Sequence, residues 1–231
     1  MYKLHGEKYV MENALHNNSS RDLFLLSGAC GIVGTCCYVI ATTVSMNRIL
    51  SYAIAMGWPI LSIIFVFGLI RFIALEYNGF SNQLAGLFAY IAFGLVAVMI
   101  SIQCAIELGF DTSIANSSSK QHELLSMIKP AIRLVDLGVD VAWDLFIGTS
   151  LIFLAFAVKK NQKFGIWWSI PAGLLAILLI VLNIITFPWP PNSRGLIDVG
   201  PAIGIYIIAL SGRLLFIAAR MKNTTYAAIP G

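Results

Sequence analysis

The sequence predicts an all-α integral membrane protein, a bundle of six transmembrane helices in a lipid bilayer. Two observations support this fold class. Of the 231 residues, 58% are hydrophobic and only 11% are charged, with a mean hydropathy of +0.83. A soluble domain has about 25% charged residues, so this chain has too few charges to cover a water-facing surface. In addition, apolar runs of about twenty residues, enough to cross the ~30 Å hydrocarbon core, occur six times along the chain.

The predicted boundaries follow these apolar runs. Residues 1–22 form an expected cytoplasmic segment, residues 23–219 the transmembrane domain and residues 220–231 a cytoplasmic tail. The connection 107–133 is the long one, and its segment KQHELLSMIKP predicts a small amphipathic helix on the membrane surface. The six expected spans cover about 23–45, 50–74, 84–106, 138–158, 165–187 and 197–219.

The distribution of Lys and Arg predicts the orientation. Basic residues concentrate in loops on the cytoplasmic side of membrane proteins, and six spans place both termini on one side. That side holds ten of the fifteen basic residues: Lys3, Lys8, Arg21, Arg71, Lys159, Lys160, Lys163, Arg213, Arg220 and Lys222. We therefore expect cytoplasmic N and C termini in a cell membrane, inner or plasma. The net charge of +4 reflects this topology and gives no reason to expect nucleic acid.

Three aspartates recur every fourth residue at the start of the fourth predicted span. Asp136, Asp140 and Asp144 precede an uninterrupted apolar stretch, Leu145 to Val158. Fourteen residues of helix measure about 21 Å, which is less than the ~30 Å core, so the span must include earlier residues. We therefore expect Asp144 and Asp140 at membrane depth in the outer third, and Asp136 at the interface. These three residues are the aspartate ladder.

The aspartate ladder is expected to face away from lipid. Residues four apart share one face of a helix, and a carboxylate at the centre of a membrane helix costs about 2.5–3.5 kcal/mol. On this view Trp143 and Phe146 point elsewhere. Either the ladder forms structural ion pairs, or it lines an acidic pocket open to the outside. The ion-pair partners would be Arg133, Arg194 or Arg48. The pocket would add Glu107, Gln103, Asn183 and Asp198.

Small residues recur at helical spacing in the first span. Ser27, Gly31 and Thr35 form a stripe that allows close approach of another helix, and Gly200 and Gly204 do so in the sixth span. We expect both stripes to pack within the bundle and not between two copies of the chain.

Cofactor motifs are missing from the sequence. His5, His16 and His122 all fall outside the predicted spans, so no haem with axial ligands at membrane depth is expected. No predicted span contains a lysine for a retinal Schiff base. Asp140 and Asp144 are similar to the end of the CDP-alcohol phosphotransferase motif, but the Asp-Gly that opens that motif does not occur in this chain. Enzymatic activity is therefore not the expectation.

These observations favour a transporter-like or channel-like protein whose acidic outer vestibule handles a proton or small cation. Asp144 would be the deepest site, and Asp140 and Asp136 would form the entry path. Arg71 and Arg213 would be counter-charges on the inner side. The alternative is a non-catalytic accessory or assembly subunit that docks a partner membrane subunit or forms a homo-oligomer. A lipid-modifying enzyme that uses the aspartates is the second alternative.

Overall fold

The computed structural model describes residues 2–110, 119–187, 189 and 191–221, with side chains from residue 19 onward except at 107, 110, 119–122, 124, 125, 192 and 193. This part of the chain is helical and has no strands. Six of its helices are long and apolar enough to cross a membrane, which confirms the predicted fold class. They are α1 (Tyr2–Thr43), α2 (Arg48–Ala74), α3 (Phe80–Cys104), α4 (Ser119–Lys160), α5 (Ile166–Thr186) and α6 (Gly200–Arg220). A π-helical segment (Ala105–Phe110) continues α3, and a 3-10 turn (Pro191–Arg194) precedes α6.

Helix α4 differs from the sequence-based expectation. The segment 120–130, expected to form a separate surface helix, belongs to one continuous helix that runs through Pro130. Proline removes one backbone donor and often kinks a helix, but the flanking residues of α4 keep helical geometry on both sides of it. The 42 residues of α4 correspond to about 63 Å, roughly twice the hydrocarbon thickness. Its first turns therefore extend beyond the other helices that cross the bundle.

The six helices form a ring in which sequence neighbours pack side by side. Helix α1 packs against α2 and α6, α3 against α2 and α4, and α4 against α5, whereas α5 and α6 meet only slightly. Helix α5 is joined to α6 by a hydrogen bond from the Tyr206 hydroxyl to the carbonyl of Trp168, at 2.8 Å. Helices α1, α3 and α5 end, and α2, α4 and α6 begin, at one end of the bundle, the aspartate end. The turns α2–α3 and α4–α5 lie at the opposite, basic end.

Local signals explain two of the turns. At the aspartate end, the Asn47 side chain accepts a hydrogen bond from the Ile49 N–H at 2.9 Å and so caps α2. At the basic end, Gly165 begins α5 with a φ of 71°, a conformation that favours glycine because other residues carry a Cβ. Its N–H donates to the carbonyls of Val158 and Asn161, which closes the short turn after α4.

The small-residue stripe of α1 packs inside the bundle. A Cβ added at Gly31 would overlap the Ser211 hydroxyl on α6 and come within 2.8 Å of the Phe65 ring on α2. Farther toward the aspartate end, a Cβ at Gly204 would lie 3.6 Å from the Thr35 methyl group. Helices α1, α2 and α6 therefore approach each other through small residues, as the sequence predicts.

An apolar layer closes the middle of the bundle. Phe93, Ile147, Ile207 and Leu210 come from α3, α4 and α6 and are all buried. They surround an apolar void of about 40 Å³. On the basic-end side of this void, Arg213 donates to the carbonyl of Lys163 at 2.8 Å. These side chains lie between the aspartate end and the basic end.

Candidate functional site

A cavity of about 520 Å³ opens at the aspartate end between α1, α2, α4 and α6. We refer to it as the acidic cavity because Asp140, Asp144 and Asp198 line it. The apolar layer forms its floor, since Phe93, Ile147 and Ile207 line both the cavity and the void beneath it. All three side chains are buried.

A second cavity of about 500 Å³ lies beside the acidic cavity. It contains Asp136, Gln103 and Arg48, and it shares Asp140 with the acidic cavity. The three aspartates therefore line two adjoining cavities, with Asp136 in the second cavity, Asp144 in the acidic cavity and Asp140 in both. The helical repeat of four residues places all three carboxylates on the face that lines these cavities.

Asp144 is the most deeply buried member of the ladder, with 7% of its surface exposed. Its Oδ2 accepts a hydrogen bond from the Asn183 amide on α5 at 2.8 Å. The same amide donates to the Leu179 carbonyl at 3.0 Å, which fixes its direction. The Asn183 Oδ1 is buried and has no hydrogen-bond partner among the described residues. Asn183 thus lies beside Asp144, but it is not among the residues that line either cavity.

The other predicted pocket residues lie at different depths. Gln103 on α3 donates to Asp136 at 3.2 Å. Asp198 is exposed, lines the acidic cavity and accepts a hydrogen bond from the Gly200 N–H at 2.8 Å, just before α6. The side chain of Glu107 lies outside the described residues.

The alternative of structural ion pairs finds no support in the described part of the chain. Within it, no Lys, Arg or His nitrogen lies within 4.0 Å of a ladder carboxylate. Arg194 instead lies 5.9 Å from the Trp189 ring centroid. Asp136 and Asp144 accept hydrogen bonds from amide groups, and Arg48 lines the second cavity together with Asp136 and Asp140.

Arg71 and Arg213 lie at the basic end, far from the ladder along their helices. Arg71 lies over the Phe67 ring at 5.6 Å, and Arg213 binds the Lys163 carbonyl. Neither residue lines the acidic cavity. Their role as inner counter-charges stays a prediction.

An aromatic cluster beside the ladder was not expected. Trp143 lines the acidic cavity, so the expectation that it points elsewhere is wrong; the physical reason is that it lies only about 60° from Asp140 around the helix. Its ring centroid is 5.8 Å from that of Trp58 on α2, which lies 4.2 Å from that of Tyr38 on α1. Phe146 does face away, against Phe88. We name Tyr38, Trp58 and Trp143 the aromatic cluster.

The ladder shows no arrangement suited to chelating a metal ion. Over the ranges that the structure describes, no three His, Cys, Asp or Glu side chains come close enough together to hold one. The spacing of about 6 Å per four-residue step explains this for the ladder, since its carboxylates follow one another along the helix and do not converge on a point.

Comparison with protein-family models, with curated proteins and with solved structures gives no match. The fold and the site define the class of protein: an integral membrane protein of six helices with an acidic cavity at one end.

Proposed function

We propose that this protein is a transporter-like or channel-like membrane protein whose acidic cavity binds a small cation or proton at Asp144. One observation supports this most directly. Asp144 is 7% exposed and lines a cavity, yet the described residues give it an amide donor and no salt bridge. A buried carboxylate is costly unless it is paired. A proton or cation arriving through the cavity would supply the missing charge.

The surroundings of Asp144 favour a positive ligand. Asp140 and Asp198 line the same cavity, which has no Lys or Arg among its described lining residues. Asp136 lies along the entry path, in the second cavity, which Arg48 also lines. A cleft lined by charges of one sign and bounded by apolar walls concentrates counter-ions. The proposed path leads a cation past Asp136 and Asp140 to Asp144.

The apolar floor supports a transport cycle with access from one side at a time. Phe93, Ile147 and Ile207 separate the acidic cavity from the basic end. A cation could pass from the acidic cavity to the basic end only if these side chains moved apart. The slight contact between α5 and α6 leaves room for such a movement, because few packed side chains would have to separate.

We propose that the acidic cavity faces the cell exterior and that both termini face the cytoplasm. Exposed Ser45 connects α1 to α2 at the aspartate end, and exposed Gln162 lies between α4 and α5 at the basic end. In a variant without the four native cysteines, an impermeant maleimide should label Ser45→Cys in intact cells. It should label Gln162→Cys only after lysis. The reverse pattern would overturn the orientation.

Loss of the Asp144 charge should abolish stabilisation by cations. A ligand at a hundred times its Kd stabilises a folded protein by about 2.7 kcal/mol. We expect the melting temperature of the wild-type protein in detergent to rise with one or more of Na⁺, K⁺, Mg²⁺, Ca²⁺ and methylammonium. Asp144→Asn should melt at a similar temperature without cations, because it keeps an oxygen for Asn183, and should not respond to them.

A control distinguishes this effect from general ionic strength. Asp22 is exposed near the basic-end half of α1, so Asp22→Asn should keep the full cation response. If Asp144→Asn instead lowers the melting temperature equally at every cation concentration, Asp144 is a structural residue and the proposal fails. The proposal also fails if the melting temperature of the wild-type protein does not change with any cation or with pH.

An accessory subunit is the second candidate, favoured by the protruding part of α4. Met127, Leu134 and Val135 are 70%, 55% and 59% exposed, and a partner membrane subunit would cover such apolar residues. Purification of the chain alone separates the two candidates. A transporter should give a stable, homogeneous native mass, as a monomer or a homo-oligomer, whereas an accessory subunit should aggregate without its partner.

A further inference from the structure

The aromatic cluster and the ladder meet at the acidic cavity from three helices. Tyr38, Trp58 and Trp143 belong to α1, α2 and α4, and all three line the cavity together with Asp140 and Asp144. Aromatic rings attract a cation through their negative faces, and tryptophan does so best. Carboxylates and aromatic rings around one space thus combine the two groups that recognise organic ammonium ions.

The size of the cavity favours an organic ligand over a bare metal ion. Its volume of about 520 Å³ falls in the range of about 300–1,000 Å³ typical of small-molecule sites. A metal ion needs several oxygen ligands converging at about 2–2.6 Å, and the part of the chain described by the structure offers no such cluster. An ammonium ion needs only a nearby charge and ring faces.

One wall of the cavity is apolar and borders the membrane. Ile203 and Ile207 on α6 are buried in the lining, and Ile205 and Val39 flank it with 69% and 47% of their surface exposed. Alkyl substituents of a ligand form no hydrogen bonds to water, so they could pack against this apolar wall without an energetic cost. A hydrated inorganic ion would gain nothing from it.

We propose that the acidic cavity binds an alkylammonium group, with its positive nitrogen between the ladder and the aromatic cluster and its alkyl groups against α6. The inference rests on the proposed cation site at Asp144 and names its ligand class. Asp144 is buried, lines the cavity and forms no salt bridge with a described residue. The alkylammonium group belongs either to a free amine or to a phospholipid headgroup.

The test compares tetramethylammonium with Na⁺ and K⁺ at equal ionic strength, by melting temperature in detergent. Tetramethylammonium should raise the melting temperature of the wild-type protein, and the alkali ions should raise it much less. Asp144→Asn should remove the response. Trp143→Leu should weaken the apparent affinity by about three- to thirtyfold, and Trp143→Phe should restore part of it because an aromatic ring returns. Trp167, 82% exposed at the start of α5, gives the matched control Trp167→Leu, which should bind as the wild type does.

Nanodiscs distinguish the two sources of the ammonium group. If the natural ligand is a choline-type headgroup, tetramethylammonium should stabilise the protein in phosphatidylglycerol discs and lose its effect in phosphatidylcholine discs, where the lipid already occupies the cavity. If the ligand is a free amine, the response should be equal in both. Either pattern supports alkylammonium binding.

Two results would overturn the inference in different ways. A response to inorganic cations alone, lost in Asp144→Asn, would exclude the alkylammonium ligand but keep the proposed cation site. No response to any cation would exclude both. An unchanged affinity for tetramethylammonium in Trp143→Leu would show that the aromatic cluster does not recognise the ligand.

Discussion

Trp58→Ala is expected to lower the free energy of unfolding by about 3–5 kcal/mol, the usual cost of truncating a buried aromatic residue. Trp58 is 7% exposed and contacts Tyr38, Phe93 and Trp143 with its ring. It therefore joins α1, α2, α3 and α4 near the aspartate end. Unfolding in mixed detergent, followed by tryptophan fluorescence and by circular dichroism, measures the loss.

Trp167→Ala is the matched control for this prediction. Trp167 is 82% exposed, so its truncation should change stability by no more than about 0.5 kcal/mol. Equal losses in the two variants would mean that Trp58 does not hold the four helices together. Trp58 also lines both cavities, so the space left by its side chain would merge them.

Asn183→Leu is expected to lower the free energy of unfolding by about 1–3 kcal/mol, or more while Asp144 is charged. Leucine has a similar volume but cannot donate to the Asp144 carboxylate, which the Asn183 amide contacts at 2.8 Å. The loss should be smaller in the Asp144→Asn background, because an unsatisfied neutral amide costs less than an unsatisfied carboxylate. Unfolding of the two single variants and the double variant gives the coupling energy.

A double-mutant cycle identifies the source of the Asn183 effect. Residues that share a hydrogen bond couple by about 0.5–3 kcal/mol. Strict additivity of Asn183→Leu and Asp144→Asn would mean that Asn183 stabilises α5 without acting on Asp144. Asn183 would then be a packing residue of α5 and not part of the site.

The sequence predicted features that depend on local composition. Six spans followed from apolar runs, and the inward face of the ladder followed from a four-residue repeat combined with the cost of a carboxylate in lipid. Asn183 was named as a candidate neighbour of the ladder, and the structure places it in hydrogen-bond contact with Asp144. Each of these predictions uses only the residues of one helix and the cost of exposing them to lipid. None requires knowledge of how the helices pack against each other.

Features that depend on packing between helices were missed. Tyr38, Trp58 and Trp143 converge from three helices, and nothing local to any of them indicates the other two. Trp143 lies about 100° from Asp144 around the helix but only about 60° from Asp140, so it faces the same cavity as the ladder. The continuity of α4 through Pro130 was missed because proline usually predicts a break.

The apolar layer formed by Phe93, Ile147 and Ile207 has an electrical consequence. A water-filled cavity conducts ions, so it takes the potential of the solution it joins. The membrane voltage then falls across the apolar part of the bundle between the cavity floor and the basic end. A monovalent cation bound at Asp144 would still have almost the whole field ahead of it, about 2.3 kcal/mol for each 100 mV. In the proposed orientation, a membrane potential that is negative inside would drive the release of this cation into the cytoplasm much more strongly than its arrival at the site.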